Sequence, residues 1–213
     1  MSYHRIIRSR VPFKRIGIGL VIAGLLVLPA CDVMSIHPLY EDVSPKDPDI
    51  VLDKDLAGSW SLTDGKCTTI LTVAAAKDEI YDFRAVAEGE GCSDPGKETR
   101  QQARLVKLDS YYFLDVSPRE EDVCATCLAL HWISLARFDK DALALTPIDS
   151  DGLNKLLQAG TVHLKILPED PNLIPERPMT LTALSKDLKN FCRKFAGNKK
   201  VFKPESTETF KRK

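Results

Sequence analysis

Cys124-Ala125-Thr126-Cys127 is where this chain comes nearest to a chemical motif. Two thiols at this spacing can exchange with another disulfide, close on each other, or supply half of a zinc site. Exchange needs a lowered thiol pKa, usually from a following helix N-terminus or from nearby cations. Here Glu120, Glu121 and Asp122 stand just upstream and push the other way, and the residues after Cys127 alternate like a strand. A zinc site would need two more ligands, and His131 and Cys192 are available only at a spacing that is not diagnostic. Haem attachment would need a His directly after the second Cys, where Leu128 stands. A local Cys124–Cys127 disulfide is the expectation, with redox and metal roles left open beside it.

Cys67 and Cys92 flank a segment that reads as a hairpin, so a disulfide stapling its open end is expected. Cys192 falls on the apolar side of a helical pattern and reads as a buried free thiol. With Cys31 set aside the count is odd, so at least one thiol stays free or pairs with another chain. His37, His131 and His163 are isolated, without an H-x-H, H-E-x-x-H or G-x-S-x-G pattern. Glu88-Gly89-Glu90-Gly91 reads as a solvated loop. No catalytic residue, metal ligand or cofactor site is expected, and the chain does not read as an enzyme.

The remaining cysteine, Cys31, raises a different chemistry. Residues 1–15 carry Arg5, Arg8, Arg10, Lys14 and Arg15 and no acid, and residues 16–28 are uncharged and mostly apolar. A basic segment followed by a short apolar run reads as a secretory signal; the run is short of a spanning helix. Leu28-Pro29-Ala30-Cys31 resembles the lipobox of bacterial lipoproteins. The resemblance implies cleavage after residue 30, diacylglycerol on the Cys31 sulfur, and anchoring by several acyl chains, which hold far better than one. Asp32 resembles the residue that retains enteric lipoproteins in the inner membrane.

Removing residues 1–30 leaves 25 bases against 30 acids, a net charge of −5. A mildly acidic domain lacks the electrostatic footprint of a nucleic-acid binder. The remaining length suits one domain with a substantial core. Lys194, Lys199, Lys200 and Lys203 read as a solvated face, with anionic lipid headgroups as the sharper alternative.

The elements that would position these residues are mostly strands. Residues 31–55, rich in Pro and acid, read as the lipidated N-terminus and a tether; within it Ile36 to Tyr40 is apolar enough to pack back onto the domain. Residues 56–213 read as a single β-rich domain. Cys67 to Val73 and Tyr81 to Ala85 alternate around a polar turn at Lys77-Asp78-Glu79, a hairpin signal. Gln102–Leu108 with Tyr111–Val116, and Leu128–Phe138 with Ala142–Ile148, repeat it around Asp109-Ser110 and Asp139-Lys140-Asp141. Thr161 to Leu167, Met179 to Ala183 and Glu208 to Lys211 read as further strands. Asp149 or Ser150 can cap a helix carrying Leu153, Leu156 and Leu157 and stopped at Gly160. Ser185 can cap another carrying Leu188, Phe191, Cys192 and Phe195, ended by Gly197. Hairpins in series make an antiparallel meander, and closing it into a barrel is the commonest way to remove its edges. The fold expected is mainly β (β-rich α+β), a lipocalin-like barrel with two short amphipathic helices. Leu71, Tyr81, Phe83 and Trp132 are large inward candidates that would fill it.

His37-Pro38-Leu39-Tyr40 followed by Leu52–Trp60 (LDKDLAGSW) and paired strands resembles a family of uncharacterised bacterial lipoproteins. Tyr111–Asp115 (YYFLD) and Leu145–Leu157 are similar to later blocks of that family, which carries no assigned reaction. Gly58-Ser59-Trp60 also resembles the G-x-W of lipocalins, which implies a Trp on the barrel floor and a basic partner on the last strand, here Lys211 or Arg212. The function expected is that of a lipid-anchored structural or interaction protein facing the periplasm. Its partners would be the membrane, through Cys31, and an envelope protein. A carrier or sensor of a small apolar ligand is the alternative, and a C-x-x-C thiol-redox protein a third.

Overall fold

A computed structural model describes residues 33–41, 47–167 and 178–213; Cys31, Asp32 and the apolar run before them lie outside the described residues. In chain order the strands are β1 (Val33–Ser35), β2 (Ile50–Val51), β3 (Gly58–Asp64), β4 (Cys67–Ala75), β5 (Tyr81–Glu88), β6 (Glu98–Leu108), β7 (Tyr111–Ser117), β8 (Trp132–Phe138) and β9 (Ala142–Pro147). Helix α1 (Ser150–Gln158), strand β10 (Met179–Leu181), helix α2 (Ser185–Phe195) and strand β11 (Glu208–Arg212) complete the order.

Strands β3 to β9 form an antiparallel meander, each paired with the next. After the two helices, β11 returns between β9 and β3 and closes an eight-stranded barrel. The fold is thus the mainly β, lipocalin-like barrel that period-two alternation anticipates. Closure leaves β3 and β9 without the unpaired edges an open meander would expose. Strand β6 is longer than β5, and β2 occupies the ladder beyond the end of β5, pairing Ile50 with Val106 and Val51 with Leu105.

Alternation along each strand separates two cores. The inward face buries Trp60, Leu71, Val73, Tyr81, Phe83, Leu105, Leu114, Trp132, Leu143, Leu145 and Phe210. All four large inward candidates, Leu71, Tyr81, Phe83 and Trp132, are in this set. The outward face of β6, β7 and β8 presents Val106, Leu108, Phe113, Ile133 and Leu135 to a second core, completed by Leu153 of α1 and by Leu188, Phe191, Cys192 and Phe195 of α2. The i, i+3, i+4, i+7 spacing in α2 thus covers an outer flank of the barrel.

Helix α1 is capped by Asp149, whose side chain accepts the Gly152 N–H at 2.7 Å. A Cβ on Gly152 would stand 1.8 Å from the Lys200 carbonyl oxygen, so this turn can approach the segment after α2 only as glycine. Ser185 does not cap α2: Leu184 holds the cap position with no side-chain bond. Thr161 to Leu167 is not a strand. It buries Val162 and Leu164 and touches β10 at a single Ile166–Leu181 bridge, with Thr182 donating to the Lys165 carbonyl and Leu167 to that of Thr180.

Within the N-terminal segment residues 36–40 pack back onto the domain as expected, and the packing extends beyond them on both sides. Strand β1 pairs in parallel with β10, Ser35 bridges His131, and Leu39, Tyr40 and Ile50 are buried. Proline and acid spacing hid only the strands β1 and β2, because they are held by side chains elsewhere rather than by their own periodicity.

Candidate functional site

The two ends of the barrel differ in chemistry. At one end Trp60 lies under Arg212, whose guanidinium is 4.1 Å from the ring centroid. Arg212 is the basic partner on the last strand, and Lys211 is not. Its Nη1 donates to the Ala57 carbonyl at 3.0 Å, its Nη2 to that of Asp55 at 2.6 Å, and its Nε to that of Lys140. Trp60 Nε1 donates to the Leu56 carbonyl at 3.0 Å. Tyr81 shares its hydroxyl with the backbone of Asp53; burial pushes its pKa up. Gly58 has φ +150, and a Cβ there would stand 2.3 Å from Arg212 Nη1. Residues 53–57 and Arg212 therefore close a floor, and every polar atom named in it has a partner.

The opposite end, where the β3–β4, β5–β6 and β7–β8 connections lie, is the mouth. Its inward positions follow from register: Thr69 opposes Leu62 and Ala87, Thr99 opposes Ala85, and Gln101 opposes Phe83. These three are half-buried. On the facing wall Trp132 opposes Val116, Ser134 opposes Leu114 and Pro147, and Glu208 opposes Leu145. The inward surface is thus apolar below and mixes polar with apolar side chains above.

Trp132 Nε1, Ser134 Oγ and Glu208 Oε2 are buried atoms without a hydrogen-bond partner. Trp132 is 6% exposed and Ser134 1%. Each such group costs about 1–3 kcal/mol when left unmatched. Desolvation raises the Glu208 carboxyl to about 7. β3 and β11 pair only through Ser61–Lys211 and Trp60–Arg212, near the floor, so Glu208 lies beside a stretch of wall where those two strands share no register. None of these three residues stood out in the sequence as polar chemistry. The available signal was a polar residue at an inward position of a strand whose other inward positions are apolar: Glu208 before Phe210, and Ser134 between Trp132 and Ala136.

The five described cysteines fall as expected, while Cys31 lies outside the described residues. Cys67–Cys92 and Cys124–Cys127 are disulfides. Both Cys124 and Cys127 are exposed, on the connection at the mouth. Cys192 is free and buried, and burial pushes its thiol far above the usual range. His131 does not meet Cys192 or the C-x-x-C pair in a metal set; its Nδ1 is 2.7 Å from Asp115 Oδ1. Among the described residues no group of three or more His, Cys, Asp or Glu side chains could hold a metal ion. His163 is exposed. Lys203 pairs with Asp149 at 2.7 Å, and Lys194 lies over the Phe195 ring.

A second polar cluster holds the N-terminal segment. Lys189 Nζ donates to both Asp47 oxygens at 2.9 and 2.7 Å and to Asp49 Oδ2 at 2.7 Å, and Arg193 Nη2 joins Asp49 at 3.0 Å. Burial pushes the Asp47 carboxyl up, but the Lys189 ammonium and the Glu41 and Asp49 amides outweigh it, leaving it below its ordinary value. Lys189 shifts upward: burial pulls it down, and its two carboxylates more than reverse that. Sequence reading passed over Asp47 and Lys189 because their separation of 142 residues carries no local pattern.

No protein-family model, no curated protein and no solved structure matches this chain. Among the described residues no helix is long and apolar enough to cross a membrane.

Proposed function

We propose that this chain is a lipid-anchored, non-enzymatic lipoprotein of the bacterial cell envelope, acting on another envelope component through its outer surface and rim. The observation that carries this reading is the filled lower barrel. Trp60, Tyr81, Phe210, Leu71, Leu105, Leu114 and Leu143 occupy the interior at 0–1% exposure, and a small barrel filled by side chains has no room there for an apolar cargo. The apolar-carrier alternative loses support for that reason. The thiol-redox alternative loses it because Cys124–Cys127 lies in an exposed connection, after the short helical turn Glu120–Asp122 rather than at the start of a long helix.

Lipid anchoring rests on the Leu28-Pro29-Ala30-Cys31 resemblance, and the shortness of the link supports a specific arrangement. Val33 is already in β1, two residues after Cys31, a reach of about 7 Å at most. Since Ser35 bridges His131 beside the start of β8, acyl chains on Cys31 would hold the rim of the mouth at the bilayer. Asp32 supports the inner membrane as the site. The resemblance of the HPLY and YYFLD blocks to uncharacterised bacterial lipoproteins belongs to the same reading.

The test is fractionation and intact mass of wild type and Cys31→Ala, followed by crosslinking in the envelope. Acylated wild type in the membrane, an unacylated Cys31→Ala species, and one recurrent crosslinked envelope protein are the expected results. Unchanged mass and partitioning of Cys31→Ala would overturn the anchor. A stoichiometric apolar molecule released on unfolding would overturn the interaction reading.

A further inference from the structure

The floor and the mouth obey different rules within one barrel. Where the barrel is merely filled, its inward residues are apolar or fully paired, as around Trp60 and Arg212. At the mouth, an indole N–H, a hydroxyl and a carboxyl oxygen are buried without partners. All three face inward from neighbouring strands: Trp132 and Ser134 from β8, and Glu208 from β11, with only β9 between. Ser134 opposes Pro147 and Glu208 opposes Leu145, so their backbones lie two strand spacings apart and two residues out of step, roughly 12 Å in all, and both side chains reach inward from there.

The three groups define complementary chemistry. Trp132 Nε1 can only donate, so it requires an acceptor; Ser134 Oγ donates or accepts. Glu208 in its ionised form only accepts and calls for a cation. Among the described residues none stands nearby. On the inward face Arg212 is engaged at the floor, Lys107 lies at the floor-side rim over the Tyr112 ring, Tyr81 is bonded to Asp53, and Asp64 at the mouth is another acid. Desolvation alone accounts for the raised Glu208 carboxyl, with no charge partner contributing.

We propose that the mouth of the barrel binds a small primary amine bearing a hydrogen-bond acceptor close to its ammonium group, such as an amino alcohol. Glu208 takes the ammonium, and Trp132 Nε1 and Ser134 Oγ hold the acceptor oxygen. The stretch of wall where β3 and β11 share no register is the route by which the amine reaches Glu208. Binding requires the Glu208 carboxylate, so it strengthens as pH rises through about 7 and fades below.

The chain contains two tryptophans, and they make an internal control. Trp60 Nε1 is bonded to Leu56 at the floor, and Trp132 Nε1 is the unpaired one. The experiment is an amide and indole ¹⁵N–¹H NMR titration of the full-length protein in detergent. Ethanolamine is the probe and ethylene glycol its neutral match. The expected result at pH 8 is a saturable ethanolamine shift of the Trp132 indole resonance with Trp60 unmoved, and half-saturation roughly tenfold or more weaker at pH 5.5 and in Glu208→Gln. Ser134→Ala should weaken binding while keeping its pH dependence, and an unchanged Trp60 resonance reports that each variant is folded. An unresponsive Trp132, an equal response to ethylene glycol, or an undiminished response in Glu208→Gln would overturn the proposal. So would a long-lived water cross-peak at the Trp132 indole that persists in excess ethanolamine, since water would then be the partner.

Discussion

Asp115 on β7 accepts the Leu39 amide N–H at 2.6 Å through Oδ2, joining residues 76 positions apart. Its other oxygen is 2.7 Å from His131 Nδ1, the His131 backbone bridges Ser35, and the His131 ring meets Tyr40 edge-on. One buried carboxylate thus seats the segment that follows Cys31 and links the HPLY stretch to the YYFLD block. Asp115→Ala strands a buried amide and removes an acceptor from His131. The expected cost is about 2–4 kcal/mol, with amide exchange of Val33 to Tyr40 accelerating more than that of β3 to β5. Denaturant unfolding with residue-resolved exchange checks both; uniform acceleration would mean that Asp115 supports the barrel as a whole.

The Lys189–Asp47–Asp49–Arg193 cluster fixes the next part of the same segment to α2. Lys189→Met leaves Asp47 buried and unpaired and should cost about 3–5 kcal/mol. Lys189→Met with Asp47→Leu removes both charges and should recover most of that loss. The pH dependence follows from the depressed Asp47 carboxyl. Its stabilising contribution is present above the ordinary carboxylate pKa near 3.8 and is lost as pH falls through the lower folded value. Acid unfolding of wild type against Asp47→Asn is the measurement, and the difference between them should shrink only at the acid end.

Strand alternation made the barrel legible from residue 58 onward because period two survives wherever one face is buried. β4 to β9 required little beyond reading turns at Lys77-Asp78-Glu79, Asp109-Ser110 and Asp139-Lys140-Asp141, although the strand expected from Leu128 begins only at Trp132. What stayed hidden was of two kinds. β1 and β2 are three and two residues long, too short to show a period, and they are fixed by Asp115 and Lys189 from distant elements. The mouth residues Ser134 and Glu208 sit on strands that were correctly placed, but their burial depends on closure by β11, and closure is a property of the whole meander. Trp132 was foreseen as inward, while its unpaired indole could emerge only once its neighbours were known to be Val116 and Leu114.

Arg212 binds three carbonyls and covers Trp60. A lysine offers a point charge without the planar fork, so Arg212→Lys should lose nearly as much stability as Arg212→Ala, about 2–3 kcal/mol. Gly58→Ala should be costly alone, since its Cβ displaces Nη1 and φ +150 suits only glycine. In the Arg212→Ala background part of that cost should vanish. A double-mutant cycle in urea measures the coupling, and strict additivity would refute the contact as the reason for Gly58.

The two disulfides should differ sharply. Cys67–Cys92 closes a separation of 25 residues and Cys124–Cys127 one of 3. Constraint of the unfolded chain grows with loop length, so Cys67→Ala with Cys92→Ala should cost about 3 kcal/mol. Cys124→Ala with Cys127→Ala should leave the unfolding midpoint almost unchanged. Cys192 should react with an alkylating reagent only on unfolding, because it is buried and its thiol is held protonated.

Glu208 should be a destabilising residue in the free protein. Its carboxyl is raised from an ordinary value of 4.5 to about 7 by desolvation, so the folded state holds a proton that the unfolded chain releases. Below about pH 4.5 both states are protonated and the residue carries no ionisation penalty. Between 4.5 and 7 folding takes up a proton and stability falls as pH rises; above 7 the penalty is complete. Solvent at the mouth screens part of it, leaving a cost on the order of 1–3 kcal/mol. Glu208→Gln should therefore raise the unfolding midpoint at pH 8 and change it little at pH 4.5, the reverse of the Asp47→Asn pattern. Equilibrium unfolding of both variants across this range checks the sign. A Glu208→Gln protein less stable than wild type at pH 8 would mean that the carboxylate has a partner within the protein, and would remove the vacancy in charge on which the amine site depends.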